Sequence, residues 1–198
     1  MKLPRLVIAS ANPDKVTEIV ELLGGLVRLD QRPSNLPEVE ETGETLEENA
    51  QLKAVAICEA TGQAAVADDT GLEVDALGGK PGVFSARYAG PSASYEDNVT
   101  RLLGELDGIS LSRRTAQFRT VAFVCYPDGR EVVAYGAVKG FILDSPRGSG
   151  GFGYDSIFAP LEGDGRTFAE MGKEKHLFSH RGRAFRSLLE KMLQDSVS

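Results

Sequence analysis

Asp68 and Asp69 stand side by side where the apolar run Ala65-Val66-Ala67 gives way to Thr70-Gly71-Leu72. Apolar residues followed by two acids, a hydroxyl and a glycine read as a buried strand that carries carboxylates to a sheet edge, where the chain turns. A carboxylate in that place can hold a hard cation or take a proton from water. A plain polar turn would use the same residue types. Side chains alternate along a strand, so the pair is expected to divide, one acid facing a site and the other facing away.

Other stretches carry chemistry of a matching kind. Ser10-Ala11-Asn12-Pro13-Asp14-Lys15 follows the short apolar run Leu6 to Ala9. Asn12 suits a helix N-cap and Pro13 the first helical position. Val16, Ile19, Val20 and Leu23 then recur with helical spacing until Gly24-Gly25. A strand, a tight loop and a helix start bearing a hydroxyl, an amide and an ammonium make a cradle for phosphate. Lys15 in the first turn opposes the helix dipole, and an anionic partner would offset that. The cradle is not a P-loop, because GxxxxGK[ST] is absent.

The loop from Leu36 to Thr45 holds Glu38, Glu40, Glu41 and Glu44. Such a charge run is either a solvated loop or a source of magnesium carboxylates to join Asp68 or Asp69. Thr45 and Glu48 form a capping box, so a helix begins here and runs to Gly62. Ala50, Ala54, Ile57 and Cys58 make its apolar stripe, and Asn49 and Lys53, four apart, share one flank. After the acid pair, Leu72 to Leu77 is expected as a return strand. A loop rich in Gly and Pro follows from Gly78 to Gly90, and Ser94 caps a helix carrying Val99, Leu102, Leu103 and Leu106. Thr115–Tyr126 and Glu131–Lys139 form a hairpin about Pro127-Asp128-Gly129-Arg130.

Phe152 lies between Gly151 and Gly153. Poorly shielded by its neighbours, it offers an open aromatic face to a flat ligand such as a nucleobase. A glycine-rich loop with a buried Phe is the alternative. Ser156 to Ala159 reads as a short strand. His176 and His180 are the only histidines. Their spacing of four suits zinc on a helix, but no third ligand joins them. Lys175, His180 and Arg181 instead make a donor set for an anion or a carbonyl. A last helix carries Ala184, Leu188, Leu189, Met192 and Leu193.

The bulk properties bound these readings. A chain of 198 residues, 41% hydrophobic, suits one globular domain spanning 1–198. Its net charge of -7 argues against a nucleic-acid polymer as partner. No apolar run is long enough for a membrane span, and the N-terminal one is too short for a signal peptide. Cys58 and Cys125 sit among apolar residues and read as buried thiols, which points to a reducing, cytoplasmic setting.

Together the pieces suit a nucleoside triphosphate: a phosphate cradle, acids for a metal, an aromatic face for a base and donors for a keto oxygen. In order along the chain they resemble the inosine triphosphate pyrophosphatase family, also called dITP/XTP pyrophosphatases. The resemblance rests on Ser10, Asn12 and Lys15; Glu41-Thr42-Gly43; Glu48-Asn49-Ala50 with Lys53; and Ala67 to Leu72. It continues through Pro81-Gly82, Ser85 to Tyr88, Gly151 to Asp155 and Ser179-His180-Arg181. Ser10 stands where the family more often has Thr, and either supplies a hydroxyl.

The resemblance implies an α/β fold with an elongated, bent, mixed sheet flanked by helices, and two lobes around a central cleft. It implies a homodimer that uses magnesium to hydrolyse a purine nucleoside triphosphate such as ITP, dITP or XTP to monophosphate and pyrophosphate. Asp69 would be general base and magnesium ligand, with Glu38 or Glu41 as the second metal carboxylate. Ser10, Ala11, Asn12, Pro13, Asp14 and Lys15 would hold phosphates with Lys53 nearby, and Thr70 would touch substrate. Phe152, Gly153, Tyr154 and Asp155 would hold the base, with Lys175, His180 and Arg181 completing the site. A related pyrophosphatase acting on pyrimidine or modified nucleotides would carry Ser-Pro-Arg in the first loop, which this chain lacks. A non-catalytic nucleotide-binding module would not need the acids.

Overall fold

The computed structural model describes residues 4–195. Arg5–Ile8 forms β1, Pro13–Leu23 α1, Arg28–Gln31 β2, Leu46–Thr61 α2, Ala65–Val74 β3 and Pro81–Gly82 β4. Tyr95–Glu105 forms α3, Thr115–Cys125 β5, Glu131–Ile142 β6, Phe158–Pro160 β7, Phe168–Met171 α4 and His180–Asp195 α5. The strands make one mixed sheet in the order β2-β1-β3-β5-β6-β7, with β4 paired to β3 off that path. The mixed α/β fold expected from the sequence is therefore present.

Local signals set the helix ends. The Asn12 side chain accepts the backbone N–H groups of Asp14 and Lys15, at 2.9 and 3.2 Å, and Pro13 opens α1. Thr45 and Glu48 complete their capping box at the start of α2, and Gly62 closes that helix in the left-handed conformation. Ser94 and Asp97 do the same for the start of α3. The buried side of α1 differs from the expected stripe. Val20 is 45% exposed, while Glu18 is buried beside Ile19 and Leu23. A charge is tolerated on that side because Arg181 donates to it.

The acid pair does not end a strand. β3 runs unbroken through Asp68 and Asp69 for ten residues, pairing parallel with β1 at Val7↔Ala65 and antiparallel with β4 at Leu72↔Gly82. The return strand expected over Leu72–Leu77 is the second half of the same strand, and Asp75–Leu77 is a turn of 3-10 helix. Two acids and a glycine resemble a turn, but Gly71 keeps a strand conformation and the carboxylates meet cations within the fold. Once countercharged, they no longer force the chain to the surface.

Two compact units divide the chain. The first comprises the residues up to Asp69, Thr120–Gly136 and those from Arg181 on. Its core gathers Leu6, Ile8, Ile19, Leu23, Val66 and Val124 with Phe185 and Leu188 of α5. The second comprises Thr70–Arg119 and Ala137–His180. Leu72, Val99, Leu102, Phe118, Phe158 and Phe168 belong to its core. Phe118 and Phe158 pack edge to face there, ring centroids 4.7 Å apart. Among the described residues, no helix is long and apolar enough to cross a membrane.

Candidate active site

In the first unit, β3 and α2 bring opposite charges together below the surface. Asp69 is 4% exposed. Lys53, one turn after Asn49 on α2, donates from Nζ to Asp69 Oδ1 at 3.1 Å and to Glu41 Oε1 at 2.6 Å. Asn49 donates to Asp69 Oδ2 at 3.4 Å, and its own Oδ1 accepts the Gly43 N–H at 2.8 Å. A Cβ on Gly43 would stand 2.8 Å from that Oδ1, so only glycine lets the acidic loop close on α2 here. The capping box thus starts a helix whose one flank, Asn49 and Lys53, faces inward onto the acids.

Lys15 on α1 reaches the same place. Its Nζ lies 3.6 Å from Asp69 Oδ1 and 3.8 Å from Asp68 Oδ2, within ion-pair range but beyond hydrogen-bond length. An ammonium at that distance keeps donors to spend on an anion. Ser10, 7% exposed, accepts the Asn12 N–H at 3.2 Å and stiffens the loop ahead of the helix.

Asp68 shares Lys15 with Asp69 but takes its hydrogen bonds from another side chain, in keeping with strand alternation. Fully buried, it receives Arg181 Nε at 3.1 Å and Nη2 at 2.9 Å on one oxygen, while Arg181 Nη1 bonds Glu18. Burial by itself would raise the Asp68 pKa, but Lys15 and Arg181 outweigh it and hold the carboxyl far below its ordinary value. Burial likewise opposes the Arg181 and Lys53 charges. The carboxylates of Asp68 and Glu18 raise the first, and those of Asp69 and Glu41 raise the second. All three ions remain charged at neutral pH.

A divalent cation suits part of this set. Glu41 and Asp69, from a loop and a strand, converge on the single ammonium of Lys53, and both offer hard oxygen ligands. Among the described residues, no three His, Cys, Asp or Glu gather as a metal-binding group. Magnesium fits such a site, because it binds through one or two carboxylates and takes its remaining ligands from water and phosphate. Glu38, the other candidate carboxylate, lines a cavity of about 560 Å³ with Ser10, Ala11 and Pro13.

In the second unit, the glycine-rich loop holds Phe152 half-buried. Asp155 Oδ2 accepts the Phe152 N–H at 3.0 Å and Lys175 Nζ at 2.7 Å. Lys175 Nζ also stands 5.3 Å from the Phe152 ring centre. Gly151 has φ +70°, and a Cβ there would fall 2.0 Å from Asp155 Oδ2, so this glycine is what admits the carboxylate. Tyr154 is buried and donates to the Ser85 carbonyl at 2.9 Å. Gly153 follows Phe152 with φ +62°. His180 is stacked on Phe118, ring centres 4.5 Å apart and planes 16° apart. Thr70, half-buried on β3, begins this unit.

The expected residues therefore fall into two groups. Ser10, Asn12, Lys15, Lys53, Glu41, Asp69 and Arg181 belong to the first unit; Phe152, Asp155, Lys175 and His180 belong to the second. Ala11 and Pro13 are exposed at the head of α1, beside half-buried Asp14. His176 lies in a 3-10 segment and His180 opens α5, so no single helix carries both. Three participants escaped sequence reasoning. Glu18 was hidden inside an apolar periodicity, though its place three residues after Lys15 puts both on one helix face. Tyr95, whose ring stands 5.7 Å from Phe152, carried no signal in its own neighbourhood. Arg32, which lines the cavity with Glu38, sat in an unpatterned loop.

Comparison with known proteins points one way. The model of the Ham1 family matches residues 6–191. The dITP/XTP pyrophosphatase of Geobacter sulfurreducens is 50% identical over 185 residues, covering 91% of this chain and 92% of that one. That of Thermus thermophilus is 48% identical over 189 residues, covering 94% and 90%. Among solved structures, a HAM1 protein from Coxiella burnetii matches with a TM-score of 0.86 at 37% identity, covering 97% of this chain and all of that one. The nucleoside-triphosphatase / dITP/XTP pyrophosphatase of Mycobacterium abscessus matches with a TM-score of 0.74 at 44% identity, covering 93% and 98%.

Proposed function

Because this chain belongs to the Ham1 family, we propose that it hydrolyses non-standard purine nucleoside triphosphates, ITP, dITP and XTP, to the monophosphate and pyrophosphate. One observation carries the reading: Lys15 and Lys53 converge on Asp69 with Glu41 at hand. That is a cationic frame around a buried carboxylate, as hydrolysis of a polyphosphate demands.

Water attack on phosphorus in a triphosphate is opposed by the substrate's negative charge. Lys15, with its loosely held ammonium, takes phosphate oxygens at the head of α1, where Asn12 has fixed the first turn. Lys53 holds Asp69 and Glu41 in register. Asp69 accepts the proton of the attacking water as its oxygen bonds to phosphorus of the α–β anhydride. The bridging bond breaks, and pyrophosphate leaves with the electron pair. Magnesium bound by Asp69 and Glu41 would supply charge neutralisation and a more acidic water. Glu41 is favoured over Glu38 for this task because it shares the Lys53 ammonium with Asp69.

Phe152 stacks on the purine, braced from behind by Asp155 and Lys175. Hypoxanthine and xanthine carry an acceptor oxygen at position 6, where adenine carries a donor amine. A donor such as His180 distinguishes them by leaving adenine mispaired. Arg181 spends its guanidinium on Asp68 and Glu18, which makes it the brace of the acid strand. By the same resemblance the enzyme is a homodimer, and its buried free thiols, Cys58 and Cys125, suit a reducing cytoplasm. Pyrophosphate release from ITP and XTP, with ATP and GTP as controls and with magnesium present or chelated, tests the proposal. Fast, magnesium-dependent release from ITP or XTP alone is expected; release from neither would refute it.

A further inference from the structure

The cavity beside the phosphate cradle has a cation of its own. It holds about 560 Å³ and is bounded on one side by Ser10, Ala11, Pro13 and Thr17, and on the other by Gln31, Arg32, Ser34 and Glu38. Arg32 and Glu38 are its charged lining residues. Arg32 is half-buried, and one nitrogen, Nη2, donates to the carbonyls of Leu36 at 2.9 Å and Pro37 at 2.5 Å. Among the described residues, no hydrogen bond or ion pair engages its Nε or Nη1. The guanidinium is thus fixed at one corner, with donors left over, on the wall of a cavity that opens against Ser10 and Ala11.

We propose that this cavity is the subsite for the terminal phosphates of the substrate, and hence for the departing pyrophosphate, with Arg32 as its anion-binding residue. The inference rests on the pyrophosphatase reading and adds a place and a ligand for the leaving group. A guanidinium tethered at Nη2 by two carbonyls keeps single charge-assisted donors at Nε and Nη1 for phosphate and loses little freedom on binding. Gln31 and Ser34 add neutral donors around it. Glu38 on the same wall makes the cavity suited to pyrophosphate that arrives with a divalent cation rather than bare. The clamp on Leu36 and Pro37 also fixes the loop that presents Glu38, so the anion and the acid are set by one side chain.

The test compares Arg32→Ala and Arg32→Lys with the unaltered protein. Product inhibition by magnesium pyrophosphate and by IMP is measured separately, and calorimetry follows binding of pyrophosphate without turnover. Arg32→Ala is expected to weaken pyrophosphate by about tenfold or more, the effect of losing a charge-assisted hydrogen bond, while inhibition by IMP stays within about twofold. Arg32→Lys is expected to recover part of the loss. A loop that had merely slackened would weaken both products or neither, and Lys would not rescue it. Unchanged pyrophosphate affinity in a folded Arg32→Ala protein overturns the subsite. Absence of ITP or XTP hydrolysis in the unaltered protein defeats the pyrophosphatase reading instead, so the two failures are told apart.

Discussion

Replacing Arg181 by Met removes a charge that three elements share. The guanidinium donates twice to Asp68, which is fully buried, and once to Glu18, which is 7% exposed. Met fills much of the same volume but takes the guanidinium from Glu18 and leaves Asp68 beside Lys15, 3.8 Å away and beyond hydrogen-bond length. Breaking a buried pair from one side costs about 3–5 kcal/mol, because the remaining charge has lost both its countercharge and its water. Against a typical stability of about 5–15 kcal/mol this is a large share. At about 2–4 °C per kcal/mol for a chain of this size, the melting temperature falls by roughly 6–20 °C. All three residues lie in the first unit. Arg181→Lys restores the charge but cannot donate twice to the Asp68 oxygen and still reach Glu18, so an intermediate loss is expected. Asp68→Asn combined with Arg181→Met should destabilise by less than the sum of the two single changes, the mark of direct coupling. Thermal and urea melts followed by circular dichroism compare these variants and the single Asp68→Asn change with the unaltered protein. A single Arg181→Met variant melting within about 2 °C of the unaltered protein would refute the buried-charge reasoning.

Three further outcomes are expected. Lys15→Ala should raise the KM for ITP by about tenfold or more with a smaller effect on kcat, since its ammonium meets phosphate already in the bound ground state; steady-state kinetics decide, and an unchanged KM would remove Lys15 from the cradle. Phe152→Ala should weaken ITP by roughly 5–150-fold, the range for about 1–3 kcal/mol of base stacking, whereas Phe152→Tyr should stay near the unaltered value. Burial, and then the bond from its hydroxyl to Glu105, push the Tyr88 phenol up to about 12. Its folded pKa thus exceeds the unfolded value near ~10, so its contribution to stability is complete below pH ~10 and is lost as the pH rises through about 12. Urea melts across this alkaline range should show Tyr88→Phe declining less steeply; parallel decline in both proteins would contradict it.

Local chemistry made much of the fold readable in advance. Asn12-Pro13, Thr45 to Glu48 and Ser94 to Asp97 set helix starts through bonds within a few residues, so their sequence patterns sufficed. The hairpin about Asp128-Gly129 was legible for the same reason. The unbroken path of β3 was not. Two acids and a glycine look like a turn until Arg181, more than a hundred residues later, is known to neutralise one of the acids. Glu18 escaped on the same ground: its burial depends on a partner that no local window contains. At the site, strand alternation alone predicted that the two acids would face different partners, and the structure gives the hydrogen bonds of Asp68 to Arg181 and those of Asp69 to Lys53. Glu38 and Glu41 were level in the sequence because both occupy the same loop, and the preference proposed for Glu41 rests on its contact with Lys53.

Asp69→Asn is the decisive substitution. It keeps the shape and the bond from Asn49 or Lys53 at one atom but removes the carboxylate that would take the proton from water. With ITP as substrate, magnesium present and circular dichroism showing a folded protein, pyrophosphate release is expected to fall to background, while Asp68→Asn, if folded, retains measurable turnover. Near-normal hydrolysis by the folded Asp69→Asn protein would contradict the assignment of Asp69 as the general base.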